Sequence, residues 1–184
     1  LDEDNAIPVL EVENRYRIGE EYSINVTANG NIYQSGSDGV YLSTIVALSE
    51  RQNHFISAVG FYKGYLHIYS YKDNSSNSHE NLAEELVEKG FASIDISKYE
   101  NQTLNIQVVA QRSKETKVYI NGELILTFES GDDVFTYNYA TIGDLRVGRN
   151  LKFVGKIYNF SIYGVALNDS EVKENYEEAR KYIE

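Results

Sequence analysis

The chain has 184 residues, 42% of them hydrophobic and 24% charged, and 17 Lys and Arg against 28 Asp and Glu give a formal net charge of −11. That acidity opposes nucleic acid and anionic membrane surfaces as partners. The absence of cysteine excludes disulfides and zinc–thiolate sites, and no run of about twenty apolar residues is present to span a bilayer.

The length suits one well-buried core, so a single domain over residues 1–184 is expected. The chain opens on Leu1 and contains no methionine, as expected of a mature fragment of a longer protein. Residues 1–21 are polar and acidic apart from Ile7-Pro-Val-Leu10, where proline fits an edge strand. From Tyr22, apolar Tyr22, Ile24 and Val26 alternate with Ser23, Asn25 and Thr27, which predicts a strand with one wet face. A stretch rich in Gly, Asn and Ser follows over 29–39, broken by Ile32-Tyr33. Tyr41–Leu48 is apolar or small nearly throughout, the pattern of a strand covered on both faces. Lys63-Gly64 joins Phe55–Phe61 to Tyr65–Tyr71 as a hairpin. Over 72–90 the β pattern stops: Asp73–Ser78 is a polar loop, and Leu82, Leu86 and Val87 stand at helical spacing before Gly90. This predicts a short inserted helix over His79–Lys89.

Alternation resumes at Phe91–Ile96 and at Leu104–Ala110, with Leu104, Ile106 and Val108 on one face. Two alternating runs within Lys117–Phe128 meet at Asn121-Gly122, the dipeptide that suits a type I′ turn. Ile142–Val147 predicts another short strand. In the next run, Phe153 and Ile157 share one phase of the pleat and Phe160 and Ile162 the other, so a regular strand cannot bury all four. A bulge near Tyr158–Asn159 reconciles them. Asn168, with Glu171 three residues on, is a capping box for a closing helix over 169–183, whose apolar stripe is Val172, Tyr176, Ala179 and Ile183. About ten to twelve short strands separated by turn chemistry predict an all-β fold, an antiparallel two-sheet jelly-roll sandwich carrying the inserted helix and a C-terminal helix.

The pattern Phe153-x-Gly155-x-Ile157-x-x-Phe160-x-Ile162-Tyr163-x-x-Ala166-Leu167-x-x-x-Glu171-Val172-x-x-x-Tyr176 resembles the closing signature of laminin-G-like, or concanavalin A-like, jelly-roll domains. Tyr119-x-Asn121-Gly122 is similar to a hairpin of the same family, which usually carries Trp where this chain has Leu104. The resemblance implies the fold more than a function, because the superfamily holds lectins, sialidase-linked carbohydrate-binding modules, glycoside hydrolases, adhesins and spacers. Its glucanases place alternating carboxylates on one strand. The nearest counterpart here is Glu11-Val-Glu13 in the edge segment, the 3 histidines are scattered and there is no Gly-x-Ser-x-Gly elbow, so no enzyme is expected.

A sugar site needs aromatic faces beside a few polar groups. Alternation along Tyr65–Tyr71 puts Tyr65, His67, Tyr69 and Tyr71 on one face, either as a stacking platform or as ordinary cross-strand neighbours. Arg146, Arg149, Lys152 and Lys156 are a second candidate in an acidic chain, suited to a carboxylated sugar or simply balancing nearby acids. Sialidase-linked modules use arginines this way, and the resemblance carries Arg149 over to that role. Calcium is the cofactor to consider, through Asp132 and Asp133 or Ser37-Asp38-Gly39, although neither segment has the spacing of a dedicated calcium loop. Glycosylation sequons begin at Asn25, Asn74, Asn101, Asn159 and Asn168. The chain thus reads as a non-catalytic, extracellular or cell-surface recognition module that binds a glycan. The alternative is a structural or protein-binding domain of a surface filament, pilus or adhesin, with a surface protein as partner.

Overall fold

Each alternating run can bury one apolar row only by pairing edge to edge with its neighbours and packing face to face against a second sheet. The computed structural model describes residues 19–33, 43–51, 54–72, 84–134, 139–143 and 153–183. Their strands are β1 (Glu21–Gly30), β2 (Ser43–Arg51), β3 (His54–Tyr62), β4 (Tyr65–Tyr69), β5 (Leu86–Glu88), β6 (Phe91–Asp95), β7 (Leu104–Gln111), β8 (Glu115–Ile120), β9 (Glu123–Glu129), β10 (Tyr139–Ile142) and β11 (Gly155–Tyr163), followed by helix α1 (Asp169–Ile183). They form two antiparallel sheets, one of order β11-β1-β7-β8-β9 and the other β10-β2-β3-β4-β6-β5. The core lies between them. Tyr22, Ile24, Val26 and Ala28 of β1 and Leu104, Ile106, Val108 and Ala110 of β7 meet Ile45, Val59, Phe61, Leu66 and Ile68 of the facing sheet.

Local chemistry sets the connections. Lys63 and Gly64 have φ of 49° and 89°, and Asn121 and Gly122 have 51° and 78°, so both hairpins turn through two successive left-handed residues as a type I′ loop requires. The bulge falls where the pleat phases demand it. Thr27 faces Asn159 and Ala28 faces Ile157, which leaves Tyr158 as the extra residue. Phe153, Ile157, Phe160 and Ile162 all then pack against one core. At α1, the Asn168 backbone N–H donates to Glu171 Oε2 at 2.8 Å while Asn168 Oδ1 accepts from the N–H of Glu171 at 3.1 Å, the reciprocal capping box.

Three sequence expectations need correction. Leu86 and Val87 belong to a strand rather than a helix, because Lys89-Gly90 turns the chain back and pairs β5 with β6. Residues 79–83 lie outside the described residues, and three apolar positions in so short a window fit either period. The strand expected over Ile142–Val147 sits earlier, at β10, with 144–147 outside the described residues, as is Ile7–Leu10. The third correction concerns β1, whose expected wet face is dry: Ser23, Asn25 and Thr27, with Asn105 and Gln107 of β7, are all buried beneath α1.

That polar layer is satisfied internally. Asn105 Nδ2 donates to Asn25 Oδ1 at 2.7 Å and Thr27 Oγ1 at 3.1 Å. Gln107 Nε2 donates to Asn105 Oδ1 at 2.9 Å and the Val172 carbonyl at 2.8 Å, and Gln107 Oε1 accepts from Asn175 of α1 at 3.2 Å. Ser23 Oγ donates to the Val165 carbonyl and accepts from the Leu167 N–H, at 2.8 and 3.0 Å. Val172 and Ala179 are the buried apolar contacts of the helix. A second polar cluster lies at one end of the sandwich, where Thr116 joins Ser70 and Ser130 through hydroxyl contacts of 2.6 Å each and Tyr22 OH donates to Ser70 Oγ at 3.4 Å. Burial pushes the Tyr22 phenol up to about 12, partly offset by its hydrogen bonding with Ser57 and Ser70.

Two outcomes follow. Gln107→Leu removes two bonds between β7 and α1 and leaves buried partners unpaired, so it is expected to destabilise by about 2–3 kcal/mol in urea unfolding. The neutral Tyr22 phenol contributes stability that is intact below pH 10.0 and lost as pH rises through about 12. The urea midpoint should therefore fall across that window, and Tyr22→Phe should flatten the fall without abolishing it, since burial also raises the phenols of Tyr69, Tyr71 and Tyr119.

Candidate functional site

β4 runs between β3 and β6, so the side chains it turns away from the core are flanked on both sides. His67 is 2% exposed and meets Tyr62 and Phe91 edge-on at 5.6 and 5.5 Å between ring centroids. Tyr69 is 1% exposed and tilts against Phe91 at 4.8 Å. Tyr71 lies past the strand end with φ 52°, which turns it into the core, where it is 0% exposed and 5.2 Å from the Tyr22 ring. Its hydroxyl donates to the Gly19 carbonyl at 3.1 Å. Only Tyr65 keeps partial exposure. The expected aromatic ladder therefore presents no row of open ring faces, because period-two alternation assigns a face but not what covers it.

Arg146, Arg149 and Lys152 lie outside the described residues. Asp132 is engaged by Lys89, whose ammonium donates at 2.9 Å and holds the carboxyl below its usual range, and the Asp132 carbonyl accepts from Arg112 at 3.2 Å. Asp133 is half-buried and its N–H donates to the Tyr71 carbonyl at 3.1 Å. Among the described residues no group of three or more His, Cys, Asp or Glu is arranged to hold a metal ion. Neighbouring charges are also paired, Arg112 to Glu20 through two bonds of 2.6 and 3.0 Å and Lys72 to Glu88. Of the sequon asparagines, Asn25 is buried and bonded, Asn168 caps α1, Asn159 is half-buried, Asn101 is exposed and Asn74 lies outside the described residues.

A groove of about 490 Å³ opens where β1 ends and β11 begins. Asn29, Gly30 and Asn31 line it from β1 and its exit, Glu100 and Asn101 from the turn ahead of β7, and Val154, Gly155, Lys156 and Tyr158 from β11. Gly30 and Gly155 pair across the two strands. A Cβ on Gly155 would stand 2.3 Å from the Asn29 carbonyl oxygen and one on Gly30 would stand 2.5 Å from the Phe153 ring, so the backbone here stays bare. Asn101, with φ 62°, follows the 3₁₀ turn Ser97–Tyr99 and reverses the chain into β7. Tyr158 is the bulge residue and is 38% exposed; its ring stacks on Tyr182 of α1 at 5.5 Å and 23°.

The polar groups of the groove are partly pre-oriented. Asn29 Nδ2 donates to Thr103 Oγ1 at 3.2 Å, which leaves its amide oxygen as an acceptor. Asn31 Oδ1 accepts from the Tyr33 N–H at 3.0 Å, which leaves its amide hydrogens as donors. Glu100 and Lys156 are exposed, and neither forms an ion pair with another described residue. An aromatic ring beside amides that each keep one free function, with one charge of each sign, is an arrangement for binding a polar, C–H-bearing ligand. Of this lining, only Lys156 is among the candidates singled out from sequence. The signal that could have found it is the bulge, since bulges gather beside functional sites and re-aim a side chain.

A comparison with curated protein sequences returned no match. Among solved structures, the native heptameric SAP-like pentraxin from Limulus polyphemus is similar, with TM-score 0.64 and 17% identity over 94% of this chain and 76% of its own. A structure of botulinum neurotoxin type C, whose cell entry depends on interaction with two ganglioside molecules, has TM-score 0.58 and 17% identity over 89% of this chain. The binding domain of botulinum neurotoxin DC, solved in complex with rat synaptotagmin II, has TM-score 0.55 and 17% identity over 87% of this chain. The chain spans 36% of the length of each of these two neurotoxin chains. At such identities the likeness is one of fold. Residues 19–173 match the family described as the concanavalin A-like lectin/glucanases superfamily. That match and the two-sheet sandwich agree with what the closing pattern implies, and the chain belongs to this superfamily.

Proposed function

We propose that this chain is a non-catalytic recognition domain of a secreted or cell-surface protein, one domain over 1–184, and that it binds a glycan in the groove between the end of β1 and the start of β11. The observation that carries the reading is Tyr158, set out by the bulge, braced by Tyr182 and surrounded by uncommitted hydrogen-bonding groups. Two structures of this fold add support at the level of chemistry: the type C toxin interacts with gangliosides, and a binding domain of the DC toxin was solved with SialylT. The non-catalytic part of the proposal rests on the lining, which holds one carboxylate, Glu100, where paired-carboxylate hydrolysis needs two. Glu11 and Glu13 lie outside the described residues. An extracellular setting is in keeping with the toxin binding domain of similar fold.

The alternative, a structural or protein-binding domain of a surface filament, pilus or adhesin, draws support from β11, an outer strand of the described sheet whose open edge can pair with another chain. A glycan array separates the readings. The wild type is expected to bind at least one glycan and Tyr158→Ala to lose about tenfold in affinity, the worth of one stacked ring. A folded wild type that binds no glycan favours the protein-binding reading.

A further inference from the structure

The donors and acceptors around Tyr158 say more than that a sugar fits. A hydroxyl group both donates and accepts, so a pair of neighbouring hydroxyls is matched only by a surface that offers both functions. The groove does so: Asn31 and Lys156 supply donors, Asn29 and Glu100 supply acceptors, and the exposed amide of Asn101 supplies either. Its formal charge cancels, one carboxylate against one ammonium. A carboxylate, sulfate or phosphate presents acceptors only. It would satisfy Lys156 but face Glu100 and the Asn29 oxygen, with a chain of net charge −11 behind them.

On the reading of the groove as a glycan site, we propose that its ligand is an uncharged oligosaccharide segment, one ring stacked on Tyr158 and its hydroxyls shared between the Asn31–Lys156 donors and the Asn29–Glu100 acceptors. The volume of about 490 Å³ lies within the about 300–1,000 Å³ typical of small-ligand sites. Glu100 is then the discriminating residue: it accepts from a neutral sugar and repels an anionic one.

The test is calorimetric titration with a neutral panel (maltotriose, cellotriose, mannotriose) and an anionic panel (3′-sialyllactose, a heparin disaccharide), each at about 0.05 and 0.5 M salt. Variants are first shown to keep the wild-type urea midpoint. Expected is saturable binding of a neutral sugar that changes less than about twofold with salt. That binding should weaken about tenfold in Tyr158→Ala and about fivefold in Glu100→Gln. If an anionic sugar binds best, weakens with salt and binds more tightly to Glu100→Gln, the neutral assignment is overturned; loss of that binding in Tyr158→Ala would leave the groove reading standing. Binding of either class that Tyr158→Ala leaves intact overturns the groove reading itself, most directly if Arg149→Ala abolishes it. No binding from either panel by the folded protein overturns both.

Discussion

Four apolar side chains in and just before the closing strand must reach one core although two of them stand in the wrong pleat phase, and the arrangement of this end of the molecule depends on how that conflict is resolved. Inserting Tyr158 as an extra residue lets Phe153 and Ile157 and then Phe160 and Ile162 face inward. β11 can therefore complete the five-stranded sheet beside β1 over their paired length. The inserted residue cannot also point inward. Its ring stands at the surface, where it meets the last turn of α1 and borders the groove. One packing requirement thus accounts for sheet closure and for the aromatic group of the candidate site.

The helix is held by a small apolar cluster, Val172 against Val109 and Tyr119 with Ala166 and Leu167 beside them, and by a polar layer next to it. Val172 and Ala179 are its buried apolar residues, while Gln107 of β7 and the hydroxyls of Tyr119 and Tyr163 bond to it, and the amides and hydroxyls of β1 and β7 beneath are bonded to one another. Such a layer gains little net stability from each bond but loses much if one partner is missing. It therefore specifies where the helix sits. That position supports Tyr182, and through it the orientation of Tyr158.

Much of the fold is legible in sequence because its determinants are local. Asn168 and Glu171 cap a helix three residues apart, Asn121-Gly122 turns a hairpin, and the phase change between Ile157 and Phe160 demands the bulge. What was misread depends on distant contacts. Ser23, Asn25 and Thr27 look wet until α1 and the segment leading into it cover them, as in the Ser23–Val165 bond with a separation of 142. His67 and Tyr69 look like a platform until their strand is flanked on both sides. Leu86 and Val87 follow a helical spacing that the turn at Gly90 overrides. The groove draws on the ends of β1 and β11 and the turn ahead of β7, segments that no single window brings together.

The glycine pair at the groove divides it into a fixed part and an adaptable part. Neither Gly30 nor Gly155 can accept a side chain without displacing the Asn29 carbonyl or the Phe153 ring, so a larger residue is disfavoured at both. Asn31, Glu100 and Lys156 are surface groups around that bare backbone and bury nothing that the core requires, whereas Asn101 also holds a left-handed turn. Descendants of this sequence could exchange Asn31, Glu100 and Lys156 one at a time and change what is recognised while the sandwich stays the same. In evolutionary terms, specificity here can drift cheaply because the scaffold beneath it cannot.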